Sequence, residues 1–135
     1  TGKEIEGRYP NADAVIPNTE GWKTIPADFD KINEARKTWA AHKKLYKKNA
    51  KGRFIIGNQE IAMDYLFMMA DLMMELGINE FFQYPKYTYE AEKWNNKTFV
   101  ARNDENDIII MPMHPYYDEW KEHAEDEPEC LFIEL

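Results

Sequence analysis

The sequence predicts an α+β domain: a two-helix pair packed on a small antiparallel sheet of three to five strands, preceded by an extended N-terminal arm. Three observations carry this. Apolar residues recur at helical spacing between residues 28 and 49, and a Met-rich apolar segment runs from Asn58 to Gly77. From Phe81 onward the pattern changes to aromatic and β-branched runs separated by Asn, Asp and Pro.

A chain of 135 residues fits one domain. Residues 1–26 read as the arm and residues 27–135 as the folded unit. Pro10, Pro17 and Pro26 oppose helix in the arm, and Gly2, Gly7 and Gly21 add turns. Tyr9, Val15, Ile16, Trp22 and Ile25 are too many apolar anchors for a free tail. The arm is therefore expected to pack along its own domain or along a neighbour.

The first helix is expected from about Asp28 to Asn49, with Asp28 as N-cap and Gly52 just beyond its end. Phe29, Ile32, Trp39 and Tyr46 form one narrow apolar stripe near the 3.6-residue period, with His42 at its flank. Arg53–Ile56 reads as a short strand. The second helix is expected from Asn58 to Gly77, with Glu60, Asp64, Asp71 and Glu75 forming a solvent stripe. Met63, Met68, Met69, Met73 and Met74 could form an adaptable groove. They cover most of the helix circumference, however, so core packing is the expectation.

Tyr84, Tyr87, Tyr89 and Trp94 suggest strand ahead of an Asn95-Asn96 turn. Thr98–Val100 and Ile108–Ile110 flank Asn103–Asn106 and read as a hairpin. A short helix over residues 116–124 and a final strand over Cys130–Ile133 complete the pattern.

Composition excludes several function classes. Cys130 is the only cysteine, so no intrachain disulfide and no Cys-based zinc site can form. No apolar run approaches the roughly 18–20 residues of a membrane span, and no charged segment followed by an apolar run reads as a signal peptide. A soluble, intracellular (cytoplasmic) protein with no membrane contact is expected. The chain begins at Thr1, which is compatible with trimming, processing or excision. It contains no Ser, which removes the serine triad. Gly52 and Gly57 do not make a phosphate loop. Cys130 sits in an apolar run and reads as a structural thiol. No cofactor is implied.

Charge layout is the informative feature. Residues 31–53 hold nine basic side chains against Glu34 alone, although the whole chain is −8. The run 118–134 holds eight acids against Lys121 alone. This polarity, with the anchored arm, favours a non-enzymatic interaction protein: a small subunit of a larger assembly, or an inhibitor occupying a partner's surface. The expected contacts are Tyr9, Trp22, Lys43, Lys44, Lys47, Lys48, Glu122, Glu125 and Asp126. A homo-oligomer formed through charge polarity fits the same layout. So does a mimic of nucleic acid built from the acidic runs, and a small, Asn-rich, acidic chain suits a phage- or virus-encoded protein.

Two alternatives belong to other classes. Residues 43–53 resemble a nucleic-acid-binding patch in which Tyr46 could stack, although a net charge of −8 repels phosphate at long range. A metal-assisted enzyme could be built on His114, Asp118, Glu122 and His123, with Glu119 one helical turn from His123, but no established metal motif is present.

Overall fold

A computed structural model of the chain describes residues 17–89 and 93–135. Tyr9 and residues 1–16 of the expected arm lie outside the described residues. The end of that arm, Lys23–Pro26, is a strand, β1, paired antiparallel with Glu80–Gln83, which is β4.

Helix α1 spans Phe29–Tyr46, followed by a single 3-10 turn over Lys47–Asn49. It starts where expected because the Asp28 carboxylate accepts a hydrogen bond from the Lys31 amide at 3.0 Å, satisfying a donor that the first turn leaves unpaired. Its buried face is Ile32, Ala35 and Trp39.

Lys51–Ile56 forms β2 and Gln59–Ala62 forms β3. Here the structure corrects the sequence reading, because residues 59–62 are strand and not the first turn of the second helix. Gly57 and Asn58 make a two-residue hairpin loop, with Gly57 in the left-handed region at φ +57°. A Cβ there would also collide with the Gln83 amide. Helix α2 is therefore shorter, Met63–Leu76, and ends on Gly77 in the left-handed conformation at φ 74°. Glu60 leaves the expected solvent stripe and becomes fully buried.

Phe99–Arg102 is β5 and Asp107–Ile110 is β6, the expected hairpin. Asn103 closes it by accepting from the amides of Glu105 and Asn106. Tyr84–Tyr89 does not extend a strand; β4 ends at Gln83. Tyr117–Glu122 forms α3, and Cys130–Glu134 forms β7.

Where the sequence suggested one antiparallel sheet, the described residues form two. The four-stranded sheet has the order β1-β4-β5-β6 and is antiparallel throughout. The three-stranded sheet has the order β3-β2-β7. In it β7 runs parallel to β2, with Phe54 opposite Ile133. Helices α1 and α2 pack over this framework, with Trp39, Phe54, Ile61, Met63, Leu66, Met69, Phe81 and Phe99 in one continuous core.

Buried amides join the ends of the two sheets. The Gln83 side-chain NH2 donates to the Ile56 carbonyl of β2 and, at 3.2 Å, to the side-chain Oε1 of Gln59. Gln59 in turn donates to Asn95 Oδ1 at 2.7 Å. No buried side-chain polar atom among the described residues lacks a partner, which is what burial of such groups requires.

Candidate interaction surfaces

The Met-rich helix divides into two functions. Met63, Met69 and Met73 are core, but Met68 is 62% exposed and Met74 47% exposed. This corrects the expectation that all five Met residues are buried. Tyr65, Met68 and Leu72 lie at helical spacing on one outward face of α2. That face and β6 enclose a groove of about 400 Å³, completed by Ile108–Ile110 and Met111. Its lining contains no charged side chain. Strand β6 is an edge of its sheet, so one side of its backbone is unpaired within the described sheet.

Charges of both signs border this groove, since Met68 also lines a neighbouring cleft with Arg36, Lys43, Asp64 and Asp71. From residue 54 to residue 85 there is no Lys, Arg or His, while Glu60, Asp64, Asp71, Glu75 and Glu80 fall in that span. The β5–β6 turn adds Asp104, Glu105 and Asp107. Asn103 Nδ2 donates to the Leu76 carbonyl at 3.0 Å and so holds the turn against the end of α2. Asp71 pairs with Arg36 and Asp107 with Arg102. Glu75, Asp104 and Glu105 form no ion pair among the described residues.

The expected partner contacts fall elsewhere. Trp22 is half-buried against its own fold, with its ring edge-on to Tyr84 at 5.6 Å. Lys43, Lys44, Lys47 and Lys48 are exposed at the end of α1, and none of them forms an ion pair among the described residues. Lys43 lies over the Trp39 ring at 5.4 Å. Lys47 is the only non-glycine described at positive φ, at 52°, where it caps the helix through its own amide. Glu122, Glu125 and Asp126 are exposed on α3 and the turn after it.

The four residues expected to gather around a metal are not brought together. Asp118 accepts from Lys93 at 2.8 Å and from Trp94 Nε1 at 2.9 Å, and the Lys93 contact, then the Trp94 contact, holds its carboxyl below the usual range. The His114 ring meets Tyr89 edge-on. His123 contacts Glu127. Among the described residues, the ligating atoms that do converge belong to Glu127, Glu129 and Cys130, a set containing none of the four.

Glu127 and Cys130 of that cluster line a smaller cavity of about 230 Å³, with Lys51, Arg53 and Tyr116 on its other walls. The Tyr116 hydroxyl donates to Glu127 Oε2 at 2.6 Å. The bond stabilises neutral phenol and ionised carboxylate together. Tyr116 is accordingly pushed up to about 12, while Glu127 is lowered by Tyr116 first and by His123 after it. Burial raises the Cys130 thiol, with Glu127 and Glu129 adding to the effect, which disfavours the nucleophilic thiolate. Glu127 thus ties Tyr116 and His123 to the turn that leads into β7.

No family model matches the chain, and neither a curated protein nor a solved structure is similar to it at a significant level. The molecule is thus characterised by its class, an α+β fold with three helices and two sheets among the described residues, and by the surfaces above.

Proposed function

We propose that this chain is a non-enzymatic protein-binding module, a small subunit of an assembly or an inhibitor, and that it takes its partner into the groove between α2 and β6. The observation that carries the reading is the exposure of Met68, Leu72, Tyr65 and Met111 beside an edge strand. Exposed apolar surface gathered into a groove is costly to leave in water and marks interaction sites. Flexible Met side chains adapt to the shape of what they cover. An edge strand offers main-chain hydrogen bonds to an incoming segment.

A photo-crosslinking residue in place of Met68, and another in place of exposed Asn33 as control, tests this in extract from the organism encoding the chain. A protein adduct from position 68 that is absent from position 33, and lost on Met68→Glu/Leu72→Glu substitution of the groove, is expected. Undiminished capture by a groove-substituted chain, crosslinked instead from Asn33, overturns the reading. So does recovery of nucleic acid alone, released by Lys44→Glu/Lys48→Glu, which would establish the α1 lysines as a phosphate-binding patch.

A further inference from the structure

The second half of α1 and the turn after it carry lysines with no carboxylate of their own segment. Residues 35–59 contain neither Asp nor Glu. Arg36 and Arg53 are engaged within the fold by Asp71 and Glu60, and Lys43 shares a cleft with Asp64 and Asp71. Lys37, Lys44, Lys47 and Lys48 are exposed, and none of them forms an ion pair among the described residues. Lys37 and Lys44 lie within about 20° of one another at 100° per residue, turned away from the buried Ile32, Ala35 and Trp39. Lys47 and Lys48 continue from them into the 3-10 turn. The acids of α1 itself, Asp30 and Glu34, sit in its first half. Glu129, across from its end, meets His42 through a carbonyl at 2.6 Å, while its carboxylate gathers with Glu127 and Cys130.

Two further features accompany these lysines. A lysine stands at position 47, at φ 52° and ψ −127°, where glycine fits more readily. Backbone held in such sparsely populated conformations clusters at functional sites. Beside it, Trp39, His42 and Tyr46 form a column of rings with successive centroids 5.7 and 4.8 Å apart. Tyr46 ends the column and is half-exposed. Its ring meets no other ring and no cation among the described residues.

We infer that this end of α1 is a second binding surface, for single-stranded nucleic acid, and that it acts independently of the groove. Lys37, Lys44, Lys47 and Lys48 contact phosphates, and the open side of the Tyr46 ring takes an unpaired base. Phosphate contacts supply affinity without regard to sequence, and stacking on an aromatic ring is equally tolerant of base identity. A duplex keeps its bases stacked on one another and offers Tyr46 nothing. An anionic bilayer would also meet the lysines, but the only large apolar side chain exposed beside them is Leu45, at 70%. One leucine is too little apolar surface to hold a chain in a bilayer. The net charge of −8 repels the strand at long range, so contact is made close to the lysines and weakens steeply with salt.

Fluorescence anisotropy of a labelled oligothymidylate of about 20 nucleotides, long enough for one such site, tests this with the purified chain. The logarithm of affinity is expected to fall with that of salt at a slope of about −3, as four phosphate contacts require. Lys44→Glu/Lys48→Glu should weaken binding about tenfold or more. Lys23→Glu/Lys86→Glu changes the net charge equally on other exposed lysines and should alter affinity by less than about threefold. Tyr46→Leu, verified as folded by circular dichroism, should weaken single-strand binding about fivefold or more and leave the salt slope unchanged. A duplex of the same length should bind more weakly than the single strand, which asks the same of the native chain.

No binding at low salt overturns the inference, as do equal losses from the two lysine pairs. Equal affinity for the duplex, or full affinity in folded Tyr46→Leu, also overturns it. Binding to phosphatidylserine vesicles that the oligonucleotide does not displace would assign the lysines and Leu45 to a lipid surface instead.

Discussion

Glu60 lies fully buried with Oε1 2.8 Å from Arg53 Nη1, while its Oε2 accepts from the amides of Tyr116 and Tyr117 at 2.7 and 2.8 Å. One carboxylate therefore joins β2 and β3 to the start of α3. Arg53 Nη1 also donates to the His114 carbonyl at 2.8 Å, reinforcing the junction. Removing the carboxylate leaves two amides without their acceptor and the Arg53 cation with only the neutral His114 carbonyl. Glu60→Ala is expected to destabilise the fold by about 3–5 kcal/mol, and Glu60→Gln by less, since its amide oxygen can still accept. Urea unfolding followed by circular dichroism measures both. Equal, small losses would show that the junction carries little stability.

The division of α2 into a core face and an exposed face predicts unequal responses to the same substitution. Leu66 is fully buried, so Leu66→Ala should cost about 2–5 kcal/mol through lost transfer energy and a residual cavity. Leu72 is 43% exposed on the groove face. Leu72→Ala should cost below about 1 kcal/mol, while weakening partner capture. Comparable destabilisation at both positions would place Leu72 in the core.

The Tyr116–Glu127 hydrogen bond predicts behaviour at both ends of the pH scale. Folding lowers the Glu127 pKa, so its contribution to stability is present above the unfolded carboxylate value and is lost as pH falls through the lowered one. Folding raises Tyr116 from 10.0 to about 12. Its contribution is complete below pH 10 and is lost as pH rises through about 12. Phenolate absorbance should show one tyrosine titrating late, and Tyr116→Phe should abolish that step and move the Glu127 midpoint upward. A late step surviving in Tyr116→Phe would assign it to another tyrosine.

Lys47 occupies a backbone conformation, φ 52° and ψ −127°, that glycine adopts more readily than a residue with a Cβ. Lys47→Gly is expected to raise stability by up to about 1 kcal/mol despite the greater freedom of glycine in the unfolded chain. Thermal unfolding of the two chains measures the effect. A destabilised Lys47→Gly chain would mean that the lysine stem, and not the backbone, governs this turn.

Local chemistry made much of the fold legible. Asp28 announced the start of α1, Gly77 the end of α2, and Asn103–Asn106 the β5–β6 turn, because each acts on neighbouring backbone groups. The Gly57-Asn58 pair between two apolar-containing runs was also a hairpin signal. The helical character of the segment that follows hides it, which is why periodicity alone places residues 59–62 in the helix and Glu60 in solvent.

The sequence by itself determined the α+β class, the start of α1, the β5–β6 hairpin and the opposed basic and acidic segments. Those properties arise from periodicity, caps, turn residues and charge count, all set within a few positions of each residue. Only the tertiary structure decided that β7 pairs in parallel with β2, that Glu60 is buried, and that Met68 and Leu72 remain exposed while Met69 and Met73 do not. Helical periodicity shows that two faces of α2 differ, but not which neighbour covers each. The edge strand beside Met68 is contributed by residues about 40 positions away, and its sheet ends there, leaving one apolar face without cover.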